Sequence, residues 1–302
     1  MTQSDSRRGM VLMTVLWSIS LLSALAMAAS VTFRGFAGVM SVERDQVQAD
    51  GLLSAGLETA ASIMQASNEA PLTDVEMTAT LGTGAVRVRL NDEGGRIDIG
   101  KAPVEVLAAM FRYVGVPEGA AGTVAQRIVA RRSLSNAAGP DDGGRPSNQA
   151  PKLSITNQPF ADLEQLRSVP GMEPEWIEAI APLTTVFGDQ TVNPLTAPPA
   201  VIAALPGVYA QRVGEFIKAR RNSHPDVDQL VRLLGPVQQY LAVKPQRVAS
   251  VDLTAELMNG YATTAHAVIV VLPQDTQPYR VLIWTPIPYA KASIWDRPVA
   301  QR

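Results

Sequence analysis

The chain has 302 residues, of which 46% are hydrophobic and 18% charged, and its formal net charge is −2. This composition is that of a folded protein, neither disordered nor wholly embedded in a membrane, and the near-neutral charge gives no sign of a polyanion partner. The chain has no cysteine, which excludes disulfides, thiolate metal sites and a cysteine nucleophile.

The N-terminal segment predicts a membrane anchor. Residues 10–33 contain no charged residue, and as a helix they would be about 36 Å long, which is enough to cross a bilayer. Arg7 and Arg8 precede this run, and by the positive-inside rule they favour a cytoplasmic N-terminus. Small residues near Ala28 also suit cleavage of a secretory signal peptide, so that alternative stays open.

An amphipathic pattern follows the apolar run directly. Apolar residues recur mostly at intervals of three to five positions as far as Met64, with charged residues between them. This pattern predicts that one helix continues over residues 10–66. Residues 10–33 would lie in the membrane, and the second half would bury one face against the rest of the protein.

The remainder of the chain changes from strand patterns to helix patterns and back. Residues 85–90 alternate apolar and basic side chains, and turn residues at 91–95 predict a hairpin whose returning strand is 96–99. Residues 267–272 and 279–287 predict a second hairpin near the C-terminus. Because the region between the hairpins has helical patterns, we expect it to be inserted into one sheet.

These patterns predict an α+β fold with a long N-terminal helix, an antiparallel sheet and an inserted all-helical domain. In the insert, the pattern Ala-Pro-x-x-Val-x-Ala-Ala of residues 102–110 recurs at 197–205, and each copy precedes a second helix that ends in two arginines. Such repeats usually stack to share a core. The predicted units are a leader (1–9), the long helix (10–66), sheet segments (67–100 and 251–290, with 67–81 as a linker), the insert (101–250) and a tail (291–302).

The junction Arg7-Arg8-Gly9-Met10 resembles the leader of type IV pilin-like proteins. The resemblance implies that a prepilin peptidase cuts between Gly9 and Met10 on the cytoplasmic side and methylates the new amino terminus. Thr14 would then occupy mature position five, where most members of the family carry a glutamate. A chain of this length without that glutamate resembles one subfamily, general secretion pathway protein K, the large minor pseudopilin of type II secretion.

Three later segments, 95–99, 160–172 and 191–198, look like recurrent segments of that subfamily and occur in the same order. The resemblance implies a pilin-type helix on an antiparallel sheet, with a helical insert similar to SAM and helix-hairpin-helix domains. It implies a non-enzymatic protein at the tip of the periplasmic pseudopilus, which initiates or caps assembly. The implied partners are other minor pseudopilins, the prepilin peptidase and the inner-membrane secretion machinery. The implied location is the bacterial inner membrane, crossed once, with a cytoplasmic N-terminus and a periplasmic C-terminal domain.

Thr14 is the residue that this resemblance connects with assembly. In relatives, the glutamate at this position is expected to pair with the amino terminus of a neighbouring subunit, because an unpaired carboxylate in a bilayer is costly. A threonine carries no charge to neutralise, and its hydroxyl can bond to a carbonyl of its own helix. We therefore expect this subunit to lie at one end of the filament.

Catalytic motifs are not found in the sequence. His224 and His266 are its only histidines, and neither belongs to a His-Glu-x-x-His motif. Gly82-Thr83-Gly84 lacks the third glycine of a dinucleotide-binding loop. We expect the protein not to be an enzyme, and we keep a single-pass membrane enzyme only as a third hypothesis.

Three acidic pairs carry oxygen ligands of the kind that calcium prefers. They are Asp92–Glu93, Asp141–Asp142 and Asp226–Asp228. Some relatives in the subfamily bind calcium, and a bound ion is useful to a domain without disulfides. None of the pairs matches an EF-hand loop, so calcium is a prediction without an assigned site.

The second hypothesis is a DNA-uptake or pilus-tip protein whose insert binds nucleic acid. The turns at 169–172 and 205–208 resemble the turn of a helix-hairpin-helix motif, which aims backbone amides at a phosphate. Glu173 follows the first turn and would repel phosphate, so we expect nucleic acid not to be a partner. The best basic cluster is interpreted as a solvent-exposed helix face, and its members are Arg212, Lys218, Arg220 and Arg221.

Overall fold

The computed structural model describes residues 5–67, 72, 75–137, 159–221, 226–244, 247–272 and 277–287, with the backbone alone for 5–12, 31–38 and 133–137. The helices are α1 (Asp5–Ala66), α2 (Val104–Tyr113), α3 (Glu118–Ala137), α4 (Pro174–Ile180), α5 (Pro199–Ala203), α6 (Ala210–Arg220) and α7 (Val227–Leu233). The strands are β1 (Val75–Leu81), β2 (Gly84–Asp92), β3 (Ile97–Asp98), β4 (Thr184–Thr185), β5 (Val248–Leu257), β6 (Ala262–Val271) and β7 (Tyr279–Ile287). Short 3₁₀ turns lie at Glu93–Gly95, Leu163–Ser168, Ala181–Leu183 and Pro236–Tyr240.

Helix α1 is a single helix of 62 residues, about 93 Å long. It begins at Asp5, five residues before the predicted start and inside the segment predicted as a leader, and it ends at the predicted residue. Its second half buries one face against the sheet, with buried positions mostly three or four residues apart, as an amphipathic helix requires. These residues are Ala49, Leu52, Leu53, Leu57, Ala60, Ala61 and Met64.

The main sheet has five antiparallel strands in the order β1-β2-β5-β6-β7. Its helix face packs on α1 through alternate residues of β2, β5 and β6, such as Val88, Leu253 and Ala267. On the opposite side, called the outer face here, Val248, Val268 and Val270 pack against the insert. The predicted α+β class, with a long helix on an antiparallel sheet, is confirmed.

The predicted first hairpin is wrong in its pairing. Strand β2 pairs with the preceding strand β1, which lies in residues predicted as a linker. The predicted returning strand at 96–99 does not join the main sheet, because β3 pairs in parallel with β4 instead. The physical cause is at Asp92, whose carboxylate accepts a hydrogen bond from Gly94 N at 2.8 Å and opens a 3₁₀ turn in place of a hairpin turn. Strand β5 was also not predicted, and it starts at Val248, inside the segment assigned to the insert.

The inserted region consists of two copies of one module. The first module spans residues 97–185 and the second spans 192–241. In each copy a short strand leads through a turn and an Ala-Pro pair into a helix, and the end of the module returns to pair in parallel with its start. These pairs are β3 with β4, and Val192 with Leu241. The insert is therefore not all-helical, which corrects the prediction.

The turn that follows the first strand has the same hydrogen bonds in both modules. Asp98 Oδ1 and Asn193 Oδ1 each accept a hydrogen bond from the backbone N–H two residues later, at 2.6 and 3.1 Å. The backbone N–H of Ala102 donates to the Asp98 carbonyl at 2.8 Å, and that of Ala197 donates to the Asn193 carbonyl at 2.9 Å. An Asp or Asn side chain that bonds its own backbone in this way sets the direction of the following helix.

An arginine from a later helix closes this turn in each module. Arg132 Nη2 donates to the Ala102 carbonyl at 2.8 Å, and Arg220 Nη1 donates to the Ala197 carbonyl at 2.6 Å. Arg220 is half-buried, so the interpretation of its cluster as a solvent-exposed helix face is wrong for this residue. The two arginines hold the second helix of each module against the start of the first.

The later parts of the modules also correspond. Asp162 and Asp226 each accept a hydrogen bond from the backbone N–H three residues later, at 3.0 and 3.2 Å, and so cap the next helical turn. Gly171 and Gly235 follow these turns with φ of 76° and 77°, a conformation that strongly favours glycine. The repeat seen in the sequence at 102–110 and 197–205 thus extends through most of both modules.

Candidate membrane anchor and assembly surfaces

The first half of α1 is a candidate membrane span. Met13–Ser30 has a mean hydropathy of 1.7, and none of this window is buried within the protein. The 18 residues measure about 27 Å as a helix, close to the thickness of a hydrocarbon core. A signal sequence near an N-terminus has the same composition, but here the helix continues without a break from the span to Ala66 and packs on the sheet.

The predicted processing and assembly residues lie at the start of this helix. Arg7, Arg8, Gly9 and Met10 are in its first turns, where only the backbone is described, and cleavage and methylation between Gly9 and Met10 stay predictions. Thr14 is exposed on the span, and its carbonyl accepts a hydrogen bond from Ser18 Oγ at 2.8 Å. Its part in assembly is also still a prediction.

Between the span and the sheet, α1 presents apolar side chains that the described part of the protein leaves exposed. They are Val39, Met40, Val42 and Val47. A helix surface of this kind beyond the membrane gains stability when another apolar surface covers it. The arrangement can therefore support packing against other helices in an assembly.

Close packing of α1 on the sheet depends on a glycine. A Cβ atom added at Gly56 would lie 2.8 Å from Leu253 Cδ2 and 2.9 Å from Val86 Cγ2, which is closer than carbon atoms pack in proteins. At Gly51, one and a half turns earlier, an added Cβ would have nothing within 4 Å. Gly56 thus lets the helix approach the strands, and its position in the amphipathic pattern was the available sequence signal.

Two polar contacts fix the direction of α1 on the sheet. Asn259 Nδ2, in the turn between β5 and β6, donates to Asp45 Oδ2 at 2.8 Å, and Asp45 is buried. Further along the helix, the Tyr279 hydroxyl donates to Glu58 Oε1 at 3.0 Å. Burial, and then the neighbouring carboxylate, raise the pKa of Tyr279. Asp45 precedes the packed residues of α1, and Glu58 lies among them, so the two contacts together resist rotation of the helix.

The junction between sheet and insert contains a charge cluster around one buried carboxylate. Asp98 is 1% exposed, and its Oδ2 lies 3.7 Å from Lys101 Nζ. Burial raises the pKa of Asp98 to about 6, against the attraction of Lys101 and Arg132. Lys101 Nζ donates to the Gly188 carbonyl at 2.7 Å, while Lys244 pairs with Asp189 at 2.6 Å. The cluster therefore connects the start of the first module, the link between modules and the return to the sheet.

The predicted acidic pairs are not brought together as metal ligands. Within the described ranges, no group of three or more His, Cys, Asp or Glu side chains is placed to hold a metal ion. Glu93 pairs with Arg96 at 3.2 Å, and the Asp92 and Asp226 carboxylates accept hydrogen bonds from their own turns. These residues do not fit a calcium site, and Asp141–Asp142 lie outside the described residues.

The other candidate functional residues also lie apart from one another. His266 Nδ1 lies 2.6 Å from Asp252 Oδ1 on the partly exposed outer face, and His224 lies outside the described residues. Gly82 and Thr83 form the turn between β1 and β2. In the turn at 169–172, which resembles the phosphate-binding turn of a helix-hairpin-helix motif, Arg127 Nη1 donates to the Pro170 carbonyl at 2.7 Å. No observation on the described residues favours the nucleic-acid alternative.

Comparisons with known proteins are consistent with this geometry. Residues 88–189 match the family model of protein K of the type II secretion system (T2SS). The fold is similar to a chain in the crystal structure of the GspK-GspI-GspJ complex from the enterotoxigenic Escherichia coli type 2 secretion system. The TM-score is 0.56 at 17% identity, over 83% of this chain and 99% of that chain. At this identity the likeness establishes the fold. No match was found among curated proteins.

Proposed function

We propose that this chain is a minor pseudopilin of the protein K family of type II secretion, whose family model matches residues 88–189, and that it works at the tip of the periplasmic pseudopilus, where it initiates or caps assembly. The observation that carries the proposal is the continuity of α1. One helix contains a candidate membrane span, then an exposed apolar stretch, and then a segment that packs on the sheet. A helix built in this way can anchor a subunit in the membrane and later pack into a filament.

The insert supports a position at the end of the filament. The two modules pack on the outer face of the sheet. In the sequence they are inserted between β2 and β5, and they make up most of the globular part. A subunit in the shaft has neighbours both above and below it, and a bulky insert would collide with the globular domain of the next subunit. A subunit at the tip has neighbours on one side only. Thr14, without a charge to neutralise, is consistent with that position.

The remaining parts of the proposal concern processing, location and partners. Cleavage between Gly9 and Met10 by a prepilin peptidase, followed by methylation, would leave a chain crossing the inner membrane once. Its C-terminal domain would then lie in the periplasm, in contact with the inner-membrane secretion machinery during assembly. The partners would be other minor pseudopilins, since the similar chain of known structure was solved in complex with GspI and GspJ. The role is structural rather than catalytic.

Immunogold labelling of assembled pseudopili, with antibodies against the insert, tests the position. Label at one end of each filament is expected, and label spread along the shaft would overturn the tip assignment. The helix surface is tested separately by co-purifying the full chain in detergent with the other minor pseudopilins. Val47→Glu on the exposed apolar stretch should reduce co-purification severalfold. Ser41→Glu, which is also exposed but lies on the opposite side of the helix, should not.

A further inference from the structure

The edge of the main sheet nearest the span carries two exposed apolar side chains. This edge, called the lower edge here, consists of the end of β1 with the turn that follows it and the turn between β5 and β6. Leu81, at the end of β1, is 42% exposed, and Met258, in the second turn, is 74% exposed. The backbone N–H of Met258 donates to the Thr83 carbonyl at 3.2 Å. The two turns therefore form one continuous surface.

Contacts with α1 fix the height of the lower edge above the span. Asn259, the residue after Met258, donates to Asp45, so the edge lies level with Asp45. Further along α1, Gly56 lies against Leu253, in the interior of β5. The helix thus runs from the lower edge up into the sheet, and its span lies below that edge.

The apolar part of α1 continues from the span almost to the height of the lower edge. Residues 10–42 contain a single charged residue, an arginine at position 34, and one long basic side chain can reach the headgroups from within a membrane helix. Val39, Met40 and Val42 are exposed and are spread over about 160° of the helix surface. A surface this wide suits surrounding lipid better than a single neighbouring helix. Val42 lies only about 4.5 Å below Asp45 along the helix.

The length of this apolar part agrees with the thickness of a bilayer. Residues 10–42 measure about 50 Å as a helix, and a bilayer with both headgroup layers is about 40–45 Å thick. A helix tilt of about 30° makes the two lengths equal, and this tilt is within the usual range for membrane helices. The lower edge would then lie within a few ångströms of the headgroups.

We propose that the lower edge of the sheet rests on the lipid surface while the subunit is anchored in the membrane, with Leu81 and Met258 inserted among the headgroups. Apolar side chains at the boundary between headgroups and acyl chains gain stability, because they are removed from water. The partner of this surface is the bilayer, which the apolar part of α1 already contacts. The inference rests on the membrane anchor of the proposed function and does not depend on the position in the filament.

Quenchers attached to lipids test the contact, and the absence of native cysteine allows a single label in each chain. Full chains with Leu81→Cys or Met258→Cys carry a fluorophore and are placed one per nanodisc of phosphatidylethanolamine and phosphatidylglycerol. Nitroxides on the lipid headgroups should quench both positions severalfold more than Tyr209→Cys, an exposed position in the second module. Ser20→Cys, in the span, should be quenched by nitroxides deep in the acyl chains.

The outcomes separate this inference from the proposed function. Quenching at Ser20→Cys with no more quenching at the lower edge than at Tyr209→Cys would overturn the inference and leave the anchor intact, whereas no quenching at any position would overturn both. A label at Thr83→Cys, which is exposed between the two apolar residues, tests whether these residues hold the contact. Leu81→Glu and Met258→Glu together should reduce quenching of that label severalfold, while Tyr209→Glu should not. Equal quenching in the two variants would contradict the inference.

Discussion

The close packing of α1 on the sheet allows the effect of a substitution at Gly56 on stability to be predicted. Replacing glycine by alanine in a helix normally gains about 1 kcal/mol of stability through helix propensity. At Gly56, however, the added Cβ would meet Leu253 Cδ2 at 2.8 Å and Val86 Cγ2 at 2.9 Å. Leu253 can change its rotamer, but Val86 is β-branched, fully buried and held by the sheet. Overpacking of a close-packed core of this kind costs about 1–3 kcal/mol.

Gly51→Ala is the matched control, because it lies on the same helix and its Cβ would have nothing within 4 Å. The propensity gain is common to both variants, so Gly56→Ala should be less stable than Gly51→Ala by about 1–3 kcal/mol. Thermal unfolding of the full chain in detergent, followed by near-UV circular dichroism, should show a lower midpoint by about 2–4 °C for each kcal/mol. Equal midpoints for the two variants would refute the reasoning that Gly56 sets the distance between helix and sheet.

Three further predictions concern the junctions of the fold. Because the pKa of Asp98 is raised to about 6, its stabilising contribution is complete below about pH 4 and is lost as the pH rises through 6. As the pH is raised from 4 to 8, the free energy of unfolding of Asp98→Asn should therefore increase relative to that of the native chain by up to about 3 kcal/mol. Urea titration at each pH measures this change, and a difference between the two chains that stays constant with pH would contradict the prediction. Asn259→Ala leaves the buried Asp45 carboxylate without its donor, so hydrogen exchange in the turn between β5 and β6 should accelerate; unchanged exchange would show that the contact does not hold the turn. Arg220→Met removes the donor to two backbone carbonyls and should cost about 1–3 kcal/mol in urea unfolding, whereas Lys218→Met on the exposed side of α6 should cost little.

The sequence predicted those parts of the fold whose periodicity is long and regular. The helix over 10–66 was recognisable because an apolar run and an amphipathic run follow each other without a break. Strands β6 and β7 stood out because of their β-branched residues. Strands β1 and β5 also alternate, as Val75, Met77, Ala79 and Leu81 show, but threonine and acidic residues in the other positions made them resemble linkers.

The pairings between distant short segments were not predictable in the same way. Strands β3 and β4 have two residues each, and such pairing is decided by the packing of the helices between them rather than by local preference. The role of Asp98 had a weak signal, since it stands between two isoleucines, where a charge is unexpected. Aligning residues 96–103 with 191–198 would have set Asp98 opposite Asn193 and shown that the repeat begins before the helices.

That alignment separates two functions of Asp98. Asn193 forms the same turn with a neutral side chain, so the turn itself does not require a charge. The carboxylate is then retained at the junction despite a burial cost that appears in its raised pKa. What the first module has and the second lacks is Lys101, which reaches both Asp98 and the Gly188 carbonyl. The charge therefore serves the contact between the insert and the link that leads to the second module. Asp98→Asn should leave the turn intact and loosen only that contact. The part of the pH dependence of stability that Asp98 contributes should then disappear, while the helices of the first module keep their hydrogen-exchange protection.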